Sequence, residues 1–224
     1  DNSMPALLPN PTLERLCKTG GDSILRNAEI IEMRPGDTIL RGGTAMRYAI
    51  FPHSGQICLS RQGIEILSFG VEGAFIPPAV PTVNFQGADI VVQLGGLASR
   101  LDIRHLEAGI ANDPATGAVL ADNFVSTMEY LCDHVACMVS CPARMRICRW
   151  LVKAHQRCNL GPVAIRQSDI AKYLGVRRAT VSEVCADLQK LDIIEYRRGR
   201  IAILNRPALL AQACNTCPDR MMAA

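Results

Sequence analysis

The side chains best suited to chemistry lie between positions 166 and 200, and their chemistry is recognition of a polyanion. Arg177, Arg178, Thr180, Ser182 and Glu183 fall within seven consecutive positions. Placed at the N-terminal end of a helix, such residues reach base edges in the major groove of duplex DNA. Arg178 can donate two hydrogen bonds to guanine, Glu183 can accept from cytosine, and Ser182 can serve either. Arg177, Thr180, Arg166, Gln167 and the trio Arg197, Arg198 and Arg200 suit phosphate oxygens, which fix register without reading sequence. Ordinary solvated surface remains the alternative for any one of them.

The stretch QSDIAKYLGVRRATVSEV at 167–184 fits two helices around a tight turn. Ala171 is small enough for close helix approach, and Gly175 accepts a left-handed backbone at no steric cost. Ile170, Leu174, Val176, Val181 and Val184 occupy the apolar positions that pin the second helix on the first. That second, reading helix is expected at about 177–189. Beyond it, two short apolar runs at 193–196 and 201–204 flank the basic turn Arg197, Arg198, Gly199 and Arg200, the pattern of a β-hairpin wing.

Charge is distributed to match. Residues 1–143 carry nine Lys/Arg against fifteen Asp/Glu, a net of −6, whereas 144–206 carry fourteen against five, a net of +9. A basic back half joined to an acidic front half points to a polyanionic partner. No apolar run approaches the length of a membrane span, and prolines at 5, 9 and 11 interrupt any secretory leader. A cytoplasmic protein without a membrane partner is expected. Ten cysteines in 224 residues do not follow the spacing of a small disulfide scaffold, so mostly reduced thiols are expected.

The front of the chain must position a second function. Short strands are expected at 30–33, 37–40, 47–51, 56–60, 64–69, 89–94 and 96–101, with glycine turns at 36, 42–43, 55, 63 and 73 between them. This spacing suggests a sandwich or jelly-roll barrel. Prolines 77, 78 and 81 make 76–86 a loop over it. Asp102 can cap a short helix through 108. Asp113 and Pro114 then start a helix that runs to the breaker Pro142. Along it Gly117, Ala121, Phe124, Met128, Leu131, Val135 and Met138 recur in steps of four and three, a heptad seam that favours dimerisation over packing on its own barrel. Phe124, Met128, Leu131, Val135 and Met138 are the expected interface. A following helix at 142–155 carries Arg144, Arg146, Arg149 and Lys153 on its polar side.

With GVRRATVSE at 175–183, IIEYRRGRIAIL at 193–204, RMRICRWLVKAH at 144–155 and MRYAIFPHSGQICLS at 46–60 in view, the chain resembles the Crp-Fnr superfamily of bacterial regulators. The resemblance covers nearly the whole chain. It implies an α+β fold: a cyclic-nucleotide-binding-like β-roll (1–112), a dimerisation helix (113–141) and a C-terminal winged helix-turn-helix (142–224). It also implies a homodimer on a near-palindromic double-stranded DNA site, and contact with RNA polymerase if the protein activates. Where cyclic-AMP-binding members carry Glu and an Arg-Ser/Thr pair, this chain reads Phe85, Gln86, Gly87 and Ala88, so a cyclic phosphate would lack its charge partner. The position that usually carries a base-reading Glu looks like Ala179. Only Cys17 lies where iron-sulfur members place their cluster, and His53 sits in a turn sequence. Cyclic nucleotide, iron-sulfur cluster and haem are therefore not expected; the effector is unidentified or absent.

Two further readings attach to other residues. Cys137, Cys141 and Cys148 would share one helical face if Pro142 only kinks the helix; with Cys214 and Cys217 they could form a thiol redox switch or metal site that changes the dimer geometry, or they could be small apolar packing groups. A metal is not expected, because one C-x-x-C pair at 214 and 217 lacks a second pair. A cupin-like barrel enzyme would need clustered His and carboxylate ligands, and the barrel offers His53 alone. No catalytic residue is expected. A nucleic-acid-binding interaction protein without sequence preference is the remaining alternative.

Overall fold

The computed structural model describes residues 10–20, 22–45, 47–77 and 87–214. Two helices, α1 (Pro11–Gly20) and α2 (Asp22–Asn27), precede seven strands: β1 (Glu29–Met33), β2 (Thr38–Leu40), β3 (Tyr48–Pro52), β4 (Gln56–Arg61), β5 (Ile64–Phe69), β6 (Asp89–Leu94) and β7 (Gly96–Asp102). Every strand expected from the sequence is present, shifted by at most a residue or two at its ends. They form two antiparallel sheets, β1-β7-β3 and β2-β6-β4-β5. Met33, Ile50, Ile57, Phe69, Ile90 and Val92 fill the space between them. Gly55 turns β3 into β4 at φ +76°, and a Cβ there would lie 2.5 Å from the Gly95 carbonyl oxygen. Only glycine fits that corner.

The first two helices were not anticipated. Asn10 caps α1 by accepting from the Leu13 amide at 3.1 Å, and its own amide donates to the Pro52 and Gly73 carbonyls. Leu13, Leu16 and Ile24 close one end of the roll against Phe51, Leu101, Leu106 and Val119. Of the proline-rich loop, 78–86 lies outside the described residues, as do Phe85 and Gln86.

Helix α3 (Ile103–Asn112) starts at Asp102, whose carboxylate accepts from the Arg104 amide, and runs four residues past the expected end. Helix α4 (Pro114–Ser140) begins as expected, with Asp113 accepting from the Ala115 amide at 2.9 Å and Pro114 in the first turn. At 27 residues it is about 40 Å long. Only Cys141 and Pro142 separate it from α5 (Ala143–Arg157).

Helix α5 departs from expectation in a way that matters. Its apolar side, with Ile147, Cys148, Leu151 and Val152, enters the core of the C-terminal domain. Its supposed solvated side is buried too: Arg149, Lys153 and Arg157 are at most 8% exposed. Arg157 reaches Gln56 and Ser68 of the roll, and Lys153 lies over Tyr130 of α4. Then come β8 (Val163–Ala164), α6 (Gln167–Tyr173), α7 (Arg178–Lys190), β9 (Ile194–Arg197), β10 (Arg200–Ile203) and α8 (Arg206–Ala211), with the small sheet ordered β8-β10-β9. None of the described helices is long and apolar enough to cross a membrane.

Candidate nucleic-acid interface and its supports

The helix-turn-helix is assembled from the residues named above. Ile170, Ala171, Leu174, Val181, Val184 and Leu188 are buried in one cluster, with Val176 packed at its edge. Between α6 and α7 the chain turns at Gly175 with φ +60°, and the Val176 amide closes the turn on the Ala171 carbonyl at 3.0 Å. Arg177 is the N-cap residue of α7, in extended backbone conformation. Arg177, Arg178, Ala179, Ser182 and Glu183 are exposed, and Thr180 is half-buried. The reading helix thus presents its N-terminal end outward while Val181, Val184, Cys185 and Leu188 hold its other side.

The wing is a two-residue hairpin. Arg197 pairs with Arg200 across the turn, and Arg198 and Gly199 both have positive φ, at 48° and 75°. This is the turn whose twist suits paired strands, and it leaves Arg197, Arg198 and Arg200 exposed. Arg197 is loosely tied to Glu195 at 2.7 Å, with four-fifths of its side chain in solvent. The Ile165 amide donates to the Gly199 carbonyl at 2.9 Å, which brings exposed Arg166 beside the wing turn at the start of α6. Gln167, first in α6, is half-buried.

A second constellation, absent from the sequence reading, fixes this domain to the roll. Arg157, at the end of α5, donates to Glu72, to the Gln56 side chain at 2.7 Å and to the Ser68 hydroxyl at 2.9 Å. Trp150 Nε1 donates to Glu65 at 3.1 Å, and Glu65 also accepts from Gln93 at 2.9 Å. Gln93 in turn accepts from Gln56. From α4, Tyr130 hydrogen-bonds Ser68 at 3.0 Å, while the Lys153 ammonium lies 4.2 Å from the Tyr130 ring centre. Roll, long helix and winged domain meet in this polar layer. Burial raises the Glu72 pKa, but the Arg157 charge and hydrogen bonds outweigh it and leave the carboxyl below its ordinary value. The layer tolerates no bulk: a Cβ at Gly70 would lie 2.4 Å from the Arg157 side chain. Its signal in the sequence is the surplus of charge on α5 beside an apolar face, which on its own reads as solvated surface.

Helix α4 presents two apolar stripes rather than one. Thr116, Val119, Tyr130 and Cys137 are buried on the inner side, and Leu131 packs against the roll core. Met138 is half-buried and its sulfur accepts from Arg146 at 3.1 Å. Phe124, Val125, Val135 and Val139 are all more than half exposed, and Ala121 and Cys132 are exposed with them. The outward row therefore runs 121, 125, 128, 132, 135 and 139. It shares Ala121, Met128 and Val135 with the expected seam, adds Phe124 at its flank, and leaves Leu131 and Met138 on the inner side.

Between α4 and the roll is a cavity of about 420 Å³, lined chiefly by apolar groups such as Leu59, Leu67, Phe75, Leu106, Leu120 and Met128, with Asn123 and Thr127 as polar exceptions. No arginine or lysine is among its described lining residues. His53 is buried in its turn and hydrogen-bonded through Nε2 to Ser99 at 2.7 Å.

The cysteines divide. Cys148 is buried in the winged core, away from a shared face. Cys137, Cys141 and Cys214 converge on one point. Cys217 lies outside the described residues. The hydrogen bond from Cys214, then burial and Cys137, push the Cys141 thiol up, which disfavours a reactive thiolate.

Comparison with known proteins follows the geometry. Residues 145–212 match the Crp-like helix-turn-helix domain family. FixK2 from Bradyrhizobium japonicum is 16% identical with a TM-score of 0.64, covering 84% of this chain and 98% of that one. A CRP-family transcriptional regulator from Thermus thermophilus is 20% identical with a TM-score of 0.66, covering 82% and 96%. A mutant of CooA from Carboxydothermus hydrogenoformans is 17% identical with a TM-score of 0.59, covering 92% and 96%. No curated protein matches the sequence significantly. The chain has the fold of a Crp/Fnr-family transcription regulator, and its C-terminal third is a Crp-like helix-turn-helix DNA-binding domain.

Proposed function

We propose that the protein is a cytoplasmic, homodimeric transcription regulator that reads a near-palindromic DNA site through the exposed N-terminal end of α7. The observation that carries this is the outward presentation of Arg177, Arg178, Ser182 and Glu183 on a Crp-like helix-turn-helix domain, with the wing arginines equally exposed. Arg178 and Glu183 read bases; Arg166, Gln167, Arg177, Thr180, Arg197, Arg198 and Arg200 hold phosphates. A second copy covers the outward stripe of α4, because Val125, Met128, Cys132, Val135 and Val139 follow one another at steps of three and four over two heptads, with exposed Phe124 at the flank. Two reading helices would then face two half-sites about one turn apart. RNA polymerase is the further partner if the outcome is activation.

The cavity beside α4 supports an effector with an apolar body. It offers no cation to a cyclic phosphate among its described lining residues, and its walls suit an uncharged molecule.

Selection of bound sequences from a random duplex pool tests the central claim. One two-fold-symmetric consensus is the expected outcome, and enrichment of no sequence would overturn it. In the same assay Arg178→Ala should relax preference at one base pair per half-site and weaken specific binding by about 1–3 kcal/mol. Equal loss across all sequences would reassign Arg178 to phosphate.

A further inference from the structure

The three convergent cysteines carry an inference that does not depend on the DNA reading. Cys137 and Cys141 stand one turn apart at the end of α4, and Cys214 follows α8 at the far end of the winged domain. All three Sγ atoms lie within 4.8 Å of one another, with Cys141 and Cys214 at 2.9 Å. Cys137 and Cys214 are buried and Cys141 is half-buried. They form a small cluster of their own, apart from the main cores. None of the three is in a disulfide.

We propose that Cys137, Cys141 and Cys214 form a binding site for one thiophilic d10 cation, with Zn(II) as the type ion. Zinc–sulfur bonds of about 2.3 Å at tetrahedral angles put neighbouring sulfurs about 3.8 Å apart. Cys141 and Cys214 must move apart by about one ångström to reach that spacing, and Cys137 starts within 4.8 Å of both, adjustments within the reach of side-chain rotation. No carboxylate or imidazole joins the group among the described residues, so the donor set is all sulfur and selects against magnesium and calcium. Half-exposed Cys141 leaves the fourth position open to water. Each thiol loses its proton to solvent as its sulfur binds the metal, so no oxidant is required. Cys214, distant in sequence, is joined here by Cys137 and Cys141 from the end of α4. The bound ion would tie Cys214, just after α8, to the end of the long helix, across the two-residue connection at Cys141 and Pro142.

The test uses the full chain, reduced with a phosphine. Titration with Cd(II) should give a sulfur-to-metal charge-transfer band saturating at one ion per chain and displaced by Zn(II). Cys141→Ser and Cys214→Ser should each weaken binding at least tenfold, while Cys17→Ser should bind as the parent does. Zn(II) should also shield Cys137, Cys141 and Cys214 in the unaltered protein from alkylation, read peptide by peptide, so the result does not rest on the variants folding. An unsaturable titration, unchanged alkylation with Zn(II), or full binding by a protein lacking all three thiols would each overturn the site. So would a chain that forms a Cys141–Cys214 disulfide in air yet takes no metal when reduced.

Discussion

Arginine does opposite work at two places in this molecule. On the reading helix and wing, Arg177, Arg178, Arg198 and Arg200 are exposed. At the junction, Arg157 is buried and bonded to Glu72, Gln56 and Ser68, with Arg149 and Lys153 buried nearby. The first group keeps its charge available to a partner; the second spends its hydrogen-bonding capacity on the fold. The surplus of +9 in residues 144–206 therefore overstates the charge that DNA can meet. Under the proposed function the electrostatic footprint would lie on the start of α6, on α7 and on the wing, not on α5.

That contrast can be broken first at the junction. Arg157→Ala leaves Glu72 buried without its partner and should cost about 3–5 kcal/mol of stability, seen as a lower urea midpoint. A change within a few tenths of a kcal/mol would mean the contact is as dispensable as a surface pair. The pH dependence follows from the same residue. The folded Glu72 pKa is below its unfolded value, so its contribution is present above the unfolded value and lost as pH falls through the folded one. Glu72→Gln should be less stable at neutral pH and should flatten that acid limb. At the other site, Arg200→Ala should leave stability alone, weaken all DNA sequences alike, and reduce the magnitude of the log-log salt slope by about 1. Loss confined to one base pair would make the wing a reader. The smallest effect is local to α4: Asp113→Ala removes its cap and should cost about 1 kcal/mol, measured by thermal unfolding with DNA binding unchanged.

The helix-turn-helix and its wing were readable in the sequence because their signals are local. A glycine at a positive-φ turn, apolar residues at fixed offsets and a basic two-residue hairpin each specify geometry within a few positions. The strands of the roll were readable for the same reason. The polar layer was not, since Gln56, Glu65, Glu72 and Arg157 are brought together only by the fold, and a row of cations on a helix looks the same whether water or a buried network receives it. The phase of the α4 stripe was misjudged because the helix is apolar on two sides, and periodicity does not say which side faces the roll. Asn10 with Pro11 carried the same cap signal as Asp113 with Pro114 and could have revealed α1.

The phase of α4 also limits how this chain can change length. Tyr130 must meet Ser68 and Lys153, and Cys137, seven residues on, must meet Cys214. Inserting one residue between them would turn everything downstream by about 100°. A whole heptad would restore the phase but shift everything downstream by about 10 Å along the axis, so this stretch of α4 should keep its length, a ruler with both ends fixed.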